Sequence, residues 1–274
     1  MPKANSEGVS IDYEVRGSGP PLAMIAGFSS SRITWREALI SLLEPHFRLI
    51  LMDNRGTGLS DKPEPLEAYS IDLMAGDVVS VLDDLGIHKI NLFGVSMGGR
   101  ISQRFALKFP DRLNALVLGC TRGGGDMDVA GDPKYSEMMM MRLKEGIDPY
   151  EGFVAREPAV FTDVFREANR PFLDQFFEES MVNPTPIHAL KGQRHAIQTF
   201  DNGGRLGEIR VPTRVVTGDS DRIAPPENSE RIANRIPGAE LVVISDAGHC
   251  YWIEKPIETA DSLISFFPKH PGGE

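Results

Sequence analysis

The chemistry-bearing pattern in this chain centres on NLFGVSMGGR (91–100), where Ser96 stands among glycines at 94, 98 and 99 directly after an apolar run. A serine hydroxyl is a weak nucleophile near neutral pH, so it needs a base, and the base needs an acid to orient it. Of the histidines, His46 and His88 lie at the entrances to apolar runs, His188 and His195 in a stretch that breaks the pattern, and His270 in a polar tail. His249 differs: in SDAGHCYWIEKP it follows an apolar run, beside a glycine that lets the backbone turn. For the acid, TGDSDRIAPP offers Asp219 and Asp221 at the same kind of edge. Asp219, next to the run, suits a turn-capping role, and Asp221, further out, can reach a histidine on the next loop. The chemistry these types could perform is acyl transfer through a serine ester.

The elements must bring these residues to one edge. VSIDYEV (9–15) alternates like a strand, whereas PLAMIAG (21–27), RLILMD (48–53), KINLFG (89–94) and NALVLG (114–119) are continuous apolar runs, the sign of strands covered on both faces. Helical patterns fall at 33–43, 71–85 and 97–108; strands resume at 214–218 and 241–245, and a last helix is expected at 257–267. Strand and helix in alternation imply an α/β fold: a mostly parallel central sheet of about eight strands with helices on both faces. Ser96 then sits on a strand-to-helix turn so sharp that its neighbours must lack side chains, with its hydroxyl raised at the carboxyl ends of the strands.

The interval 121–212 breaks the rhythm. It opens with TRGGGDMDVAGDP and carries MMMM (138–141), Phe161, Phe165, Phe172, Phe176 and Phe177. We read it as a helical insertion folded over the sheet, dividing the chain into a core (1–120 and 213–274) and a cap (121–212). Acidic and basic side chains nearly balance there, which gives no reason to expect an anionic substrate; a mostly apolar pocket for short to medium uncharged acyl groups is expected.

The pieces AGF (26–28), DNRGTGLSDKP (53–63), GVSMGG (94–99), GDSDRIAPP (218–226) and AGHCYWIEKP (247–256) together resemble the α/β-hydrolase fold family, over nearly the whole chain. The resemblance is nearest to the serine esterases, enol-lactonases and cofactor-free haloperoxidases, which carry a helical cap after the sixth strand. It implies Asp221, the second aspartate of G-D-x-D, as the triad acid with Ser96 and His249, in the chain order of sheet-based hydrolases. It also implies an oxyanion hole from the backbone N–H groups of Met97, at the start of the helix after the nucleophile, and Phe28. Ala26-Gly27 stands where relatives usually have His-Gly. The implied activity is hydrolysis of small to medium carboxylic esters or lactones through an acyl-enzyme. Perhydrolysis or C–C bond hydrolysis on the same triad are the enzymatic alternatives, and a ligand-binding protein of the same fold is the non-enzymatic one.

A formal charge of −10 without clustered Lys and Arg argues against nucleic acid. No apolar stretch is long enough for a membrane helix, and MPKANSEG lacks a signal-peptide core, so a cytoplasmic location is expected. Cys120 and Cys250 form no disulfide framework or metal-ligand spacing, and neither cofactor nor metal is expected. The expected partner is the small-molecule substrate, with self-association left open. DNRGTGLSD lacks a G-K-[ST] ending and reads as a structured loop tied by Asp53 and Arg55. The methionine run reads as cap core or pocket wall, Trp35 and Trp252 as packing groups, and Asp246 as a loop-capping side chain.

Overall fold

In a computed structural model that describes residues 2–267 except 145 and 203, eight strands form one sheet. They are β1 (Lys3–Ser6), β2 (Val9–Arg16), β3 (Pro21–Ile25), β4 (Arg48–Met52), β5 (Ile90–Val95), β6 (Leu113–Gly119), β7 (Thr213–Gly218) and β8 (Glu240–Ile244), in spatial order β1-β2-β4-β3-β5-β6-β7-β8. From β4 to β8 every neighbouring pair is parallel; β1 and β2 pair antiparallel at one end. The apolar runs were the right signal for the parallel strands, since β5 and β7 are buried at every position. β1, whose KANS carries no apolar run, was not expected; it forms by hydrogen bonding to β2, and of its side chains only the small Ala4 and Ser6 are buried.

Strand residues alternate between two apolar layers, as a period of two requires. Ala23, Ile25, Leu92, Leu116 and Leu118 meet α2 (Ile71–Asp84) and α3 (Met97–Lys108), while Leu22, Met24, Phe93 and Val117 meet α1 (Arg36–Leu43) and, at the C-terminal end, Leu263 and Phe266. Trp35 belongs to the second layer, its ring 5.3 Å from Phe93 and 5.9 Å from Trp252. Among the described residues five α-helices lie between β6 and β7: α4 (Pro133–Met139), α5 (Pro149–Val160), α6 (Asp163–Ala168), α7 (Arg170–Ser180) and α8 (Ile187–Gln198). After β7 and β8 come α9 (Pro226–Arg235), α10 (Tyr251–Glu254) and α11 (Pro256–Phe266). Among the described residues no helix is long and apolar enough to cross a membrane.

Asp53 and Arg55 behave as their loop suggested. Asp53 accepts the amides of Arg32 (2.8 Å) and Leu59 (2.9 Å), and buried Arg55 grips Asp77 through two hydrogen bonds of 2.7 and 2.5 Å.

Candidate active site

The glycines around Ser96 are explained atom by atom. A Cβ on Gly94 would lie 2.2 Å from Ser102 Oγ, one on Gly98 would lie 2.1 Å from the Ile25 carbonyl, and one on Gly99 would lie 2.5 Å from Thr121. Only bare backbone lets α3 leave β5 so close to β3 and β6. Ser96 itself takes φ 55° and ψ −117°, a conformation L-residues rarely adopt and that costs about 1–3 kcal/mol. Its amide donates to Gly119 (2.9 Å), and its carbonyl accepts the Thr121 hydroxyl (2.7 Å), so the turn is held from β6. Positive φ recurs at Ser29, Cys120 and Asp246, each just beyond the carboxyl end of a parallel strand, so backbone strain gathers at this edge.

His249 is buried, and its Nδ1 lies 2.8 Å from Asp221 Oδ2. The other carboxylate oxygen, Oδ1, accepts the amides of Ile223 (2.8 Å) and Ala224 (2.9 Å), which fixes the plane of the group and leaves Oδ2 for the ring. Asp219 does something else: it accepts the amides of Asp246 (3.0 Å) and Ala247 (3.3 Å) and the Ser220 hydroxyl (3.0 Å). Burial pushes the Asp219 carboxyl up, but these hydrogen bonds outweigh it and hold its pKa below the usual value. Asp246 therefore does not cap its loop by its side chain as expected; its amide is the group being held. His46, His88 and His195 are exposed, and His188 bonds the Lys62 carbonyl at 3.0 Å. His270 lies outside the described residues.

Ser96 and His249 line the same two cavities, with no hydrogen bond between their side chains here. Pairs of this type are commonly loose without substrate and tighten on binding. The Phe28 and Met97 amides, from the loop after β3 and the first turn of α3, donate to no acceptor among the described residues. Gly27 sits against Ser96, so close that a Cβ there would lie 3.1 Å from Ser96 Cβ.

The two cavities differ in character. One, of about 120 Å³, is walled by Phe153, Phe161, Phe176 and Trp252. The other, of about 390 Å³, is lined by Met97, Met139 and Met140 and by Arg100, Arg122 and Arg194. Arg100 pairs with Asp128 at 3.1 Å, while among the described residues Arg122 and Arg194 have no carboxylate partner. Burial, and secondarily Arg122, pulls the Arg100 pKa below its ordinary value against the opposing pull of Asp128. The first cavity has the expected aromatic wall, with Arg156 and Glu157 also lining it. The second departs from the apolar expectation, because Arg122 and Arg194 of the insertion converge there with Arg100 of α3, whereas the buried Glu157 of the insertion lies at the first cavity and pairs with Arg170 at 2.8 Å.

Two further residues escaped sequence reasoning, Gln193 because it carries no motif and Glu254 because AGHCYWIEKP gives it no partner. Gln193 on α8, fully buried, accepts the Ser29 amide (2.8 Å) and donates to the Arg55 carbonyl (2.9 Å), tying the insertion to the loop after β3. Glu254 accepts the Gly248 amide at 2.9 Å, one residue before His249. Cys120, Asp221 and His249 form the one group of possible metal ligands among the described residues. Its donors do not suit an ion: both Asp221 oxygens and His249 Nδ1 are engaged, and burial pushes the Cys120 thiol far up, keeping it protonated.

The α/β hydrolase fold model matches residues 20–256. A 2-hydroxy-6-oxononadienedioate/2-hydroxy-6-oxononatrienedioate hydrolase from Escherichia coli is 32% identical over 86% of this chain and 79% of its own length. A thermophilic esterase from Thermogutta terrifontis superposes with a TM-score of 0.84 at 26% identity, covering 98% of each chain. The enol-lactonase of Burkholderia xenovorans does so at 0.85 and 25%, over 97% of this chain and 100% of that one. With this match over most of its length, an eight-stranded sheet of the same organisation and the strained serine turn between β5 and α3, the chain is a member of the α/β-hydrolase fold family.

Proposed function

We propose that the protein is a serine hydrolase of small to medium esters or lactones, with Ser96 as nucleophile, His249 as general base and then acid, and Asp221 as the group that fixes the imidazole tautomer. The observation that carries this reading is the buried 2.8 Å contact between Asp221 Oδ2 and His249 Nδ1 in the cavities that Ser96 also lines. Ser96 Oγ attacks the acyl carbon as His249 takes its proton. The charge that builds on the carbonyl oxygen is met by the Phe28 and Met97 amides, groups whose individual loss in such holes costs about 3 kcal/mol. His249 then gives its proton to the leaving alkoxide, and water repeats the sequence to release the acid. In this reading residues 121–212 act as the cap that closes both cavities over the serine.

The arginine-lined cavity supports a substrate carrying a carboxylate. A charge-assisted hydrogen bond contributes about 1.5–3 kcal/mol, so the preference over a neutral chain of equal length is about 10- to 100-fold in kcat/KM. The test compares p-nitrophenyl butyrate with the mono-p-nitrophenyl ester of succinic acid, beside a panel of lactones, in wild type and Arg122→Gln. The succinate ester is expected to be preferred and to lose that preference in the variant; equal use of both esters by wild type refutes the carboxylate assignment.

A second reading, C–C bond hydrolysis of a keto acid, is favoured by the same arginines together with the dioate named for the Escherichia coli relative. Ser96 would attack the ketone carbon, and the proton held by His249 would go to the departing carbon. Turnover of a 6-oxo dienoic acid well above that of any ester would select it.

A further inference from the structure

Resting on the triad reading, we infer that Glu254 is a positioning residue that makes the placement of His249 depend on the seating of the corner between α5 and α6. The backbone on both sides of His249 is anchored to that corner. On one side the Gly248 amide donates to Glu254 Oε1 at 2.9 Å, and the Thr162 hydroxyl donates to Glu254 Oε2 at 2.6 Å. On the other, the Cys250 amide donates to the Val160 carbonyl at 2.9 Å. The Thr162 amide adds contacts of 3.4 and 3.3 Å to the two Glu254 oxygens, so one carboxylate gathers donors from the histidine loop and from the insertion together.

The packing leaves no slack. A Cβ on Gly248 would lie 2.9 Å from Glu254 Oε1 and 3.0 Å from the Val160 carbonyl. Asp221 fixes the imidazole ring but does nothing for the backbone that carries it; Glu254 and Val160 supply that second anchor. Val160 and Phe161 belong to the same corner and line the aromatic cavity. A substrate that fills this cavity presses on the chain segment from which His249 hangs, and an ill-fitting one displaces it. Substrate fit and base alignment are thereby coupled through one carboxylate. Glutamate suits the post because an acceptor-only group serves every donor that faces it, whereas an amide would turn an NH₂ toward at least one N–H or O–H.

The test uses Glu254→Gln and Thr162→Val in the full chain. The rate constant for labelling of Ser96 by a small fluorophosphonate is measured with kcat and KM on an ester and with the far-downfield proton resonance of His249 Nδ1–H. Misplacement of a catalytic group by a fraction of an ångström to an ångström costs up to about 100-fold, so Glu254→Gln is expected to lower labelling and kcat by about 10- to 100-fold, with KM changed less than about twofold. The downfield resonance should broaden or shift, and Thr162→Val should show a smaller fall of the same kind. Folded variants that lose melting temperature but label at the wild-type rate overturn the inference, as does failure of both to fold, since the role is then structural. His249→Ala separates the underlying reading: if wild type is not labelled at Ser96, or His249→Ala is labelled as fast as wild type, the triad falls, and this inference with it.

Discussion

Replacing Asp221 by Asn removes one charge and changes almost no volume, which makes its consequence calculable. Oδ1 is held by the Ile223 and Ala224 amides, so the asparagine oxygen must take that place and its NH₂ must face His249 Nδ1. Two donors cannot share a 2.8 Å contact; Nδ1 gives up its proton, the ring carries it on Nε2, and that nitrogen can no longer accept from Ser96. The corresponding exchange in a serine protease, a different protein, lowers kcat by about 10⁴-fold through the wrong tautomer. We expect a loss of the same order here, about 5 kcal/mol of barrier at 1.36 kcal/mol per decade. Stability should hold or rise, because a buried charge is removed while both backbone donors keep an acceptor. Asp219→Asn is the internal control: it loosens the loop at Asp246 and Ala247 and should leave kcat within about threefold, since it makes no contact with the ring and the residues flanking His249 keep their own anchors at Glu254 and Val160. The assay is kcat on an aryl ester with urea unfolding of each variant. If Asp221→Asn retains more than a tenth of wild-type kcat, or if Asp219→Asn is the more damaged, the assignment of the acid is wrong.

Other outcomes follow from the same geometry. Gly98→Ala must push a methyl to within 2.1 Å of the Ile25 carbonyl, so it should destabilise by about 3 kcal/mol or more in urea unfolding and silence the serine; near-wild-type behaviour would mean the turn is not held as described. The Asp219 carboxyl has a folded pKa below its unfolded value, so its contribution is present above the ordinary aspartate range and is lost as pH falls through the depressed value. The difference in melting temperature between wild type and Asp219→Asn should therefore shrink below about pH 4, and a difference that grows on acidification would contradict the sign. Cys120, fully buried and raised by desolvation, should resist iodoacetamide at pH 8 in the folded protein and react after unfolding, as peptide mass spectrometry would show.

What could be read from the sequence was what local chemistry dictates. The parallel strands announced themselves because burial on both faces leaves an unbroken apolar run, and Ser96 did so because a strand-to-helix turn this tight excludes every side chain larger than hydrogen at 94, 98 and 99. Asp219 and Asp221 were harder to separate, being two residues apart; both accept backbone amides, and only the imidazole contact of Asp221 tells them apart in space. β1 was missed because pairing with β2, and no pattern of its own, makes KANS a strand. The arginines at 100, 122 and 194 come from α3, the loop after β6 and α8, and only the folded chain reveals that they converge. Gln193, a buried polar side chain joining two distant loops, leaves no periodic mark, and Glu254, though inside AGHCYWIEKP, meets its partners only in the folded chain.

The central claim, a serine activated by His249 and Asp221, is tested most directly by trapping the nucleophile. Intact mass followed by peptide mapping after exposure to a fluorophosphonate should find one adduct per chain, on Ser96. The adduct should form at a rate cut by orders of magnitude in His249→Ala and absent in Ser96→Ala. An adduct on another residue, or unchanged ester turnover in Ser96→Ala, would contradict the account.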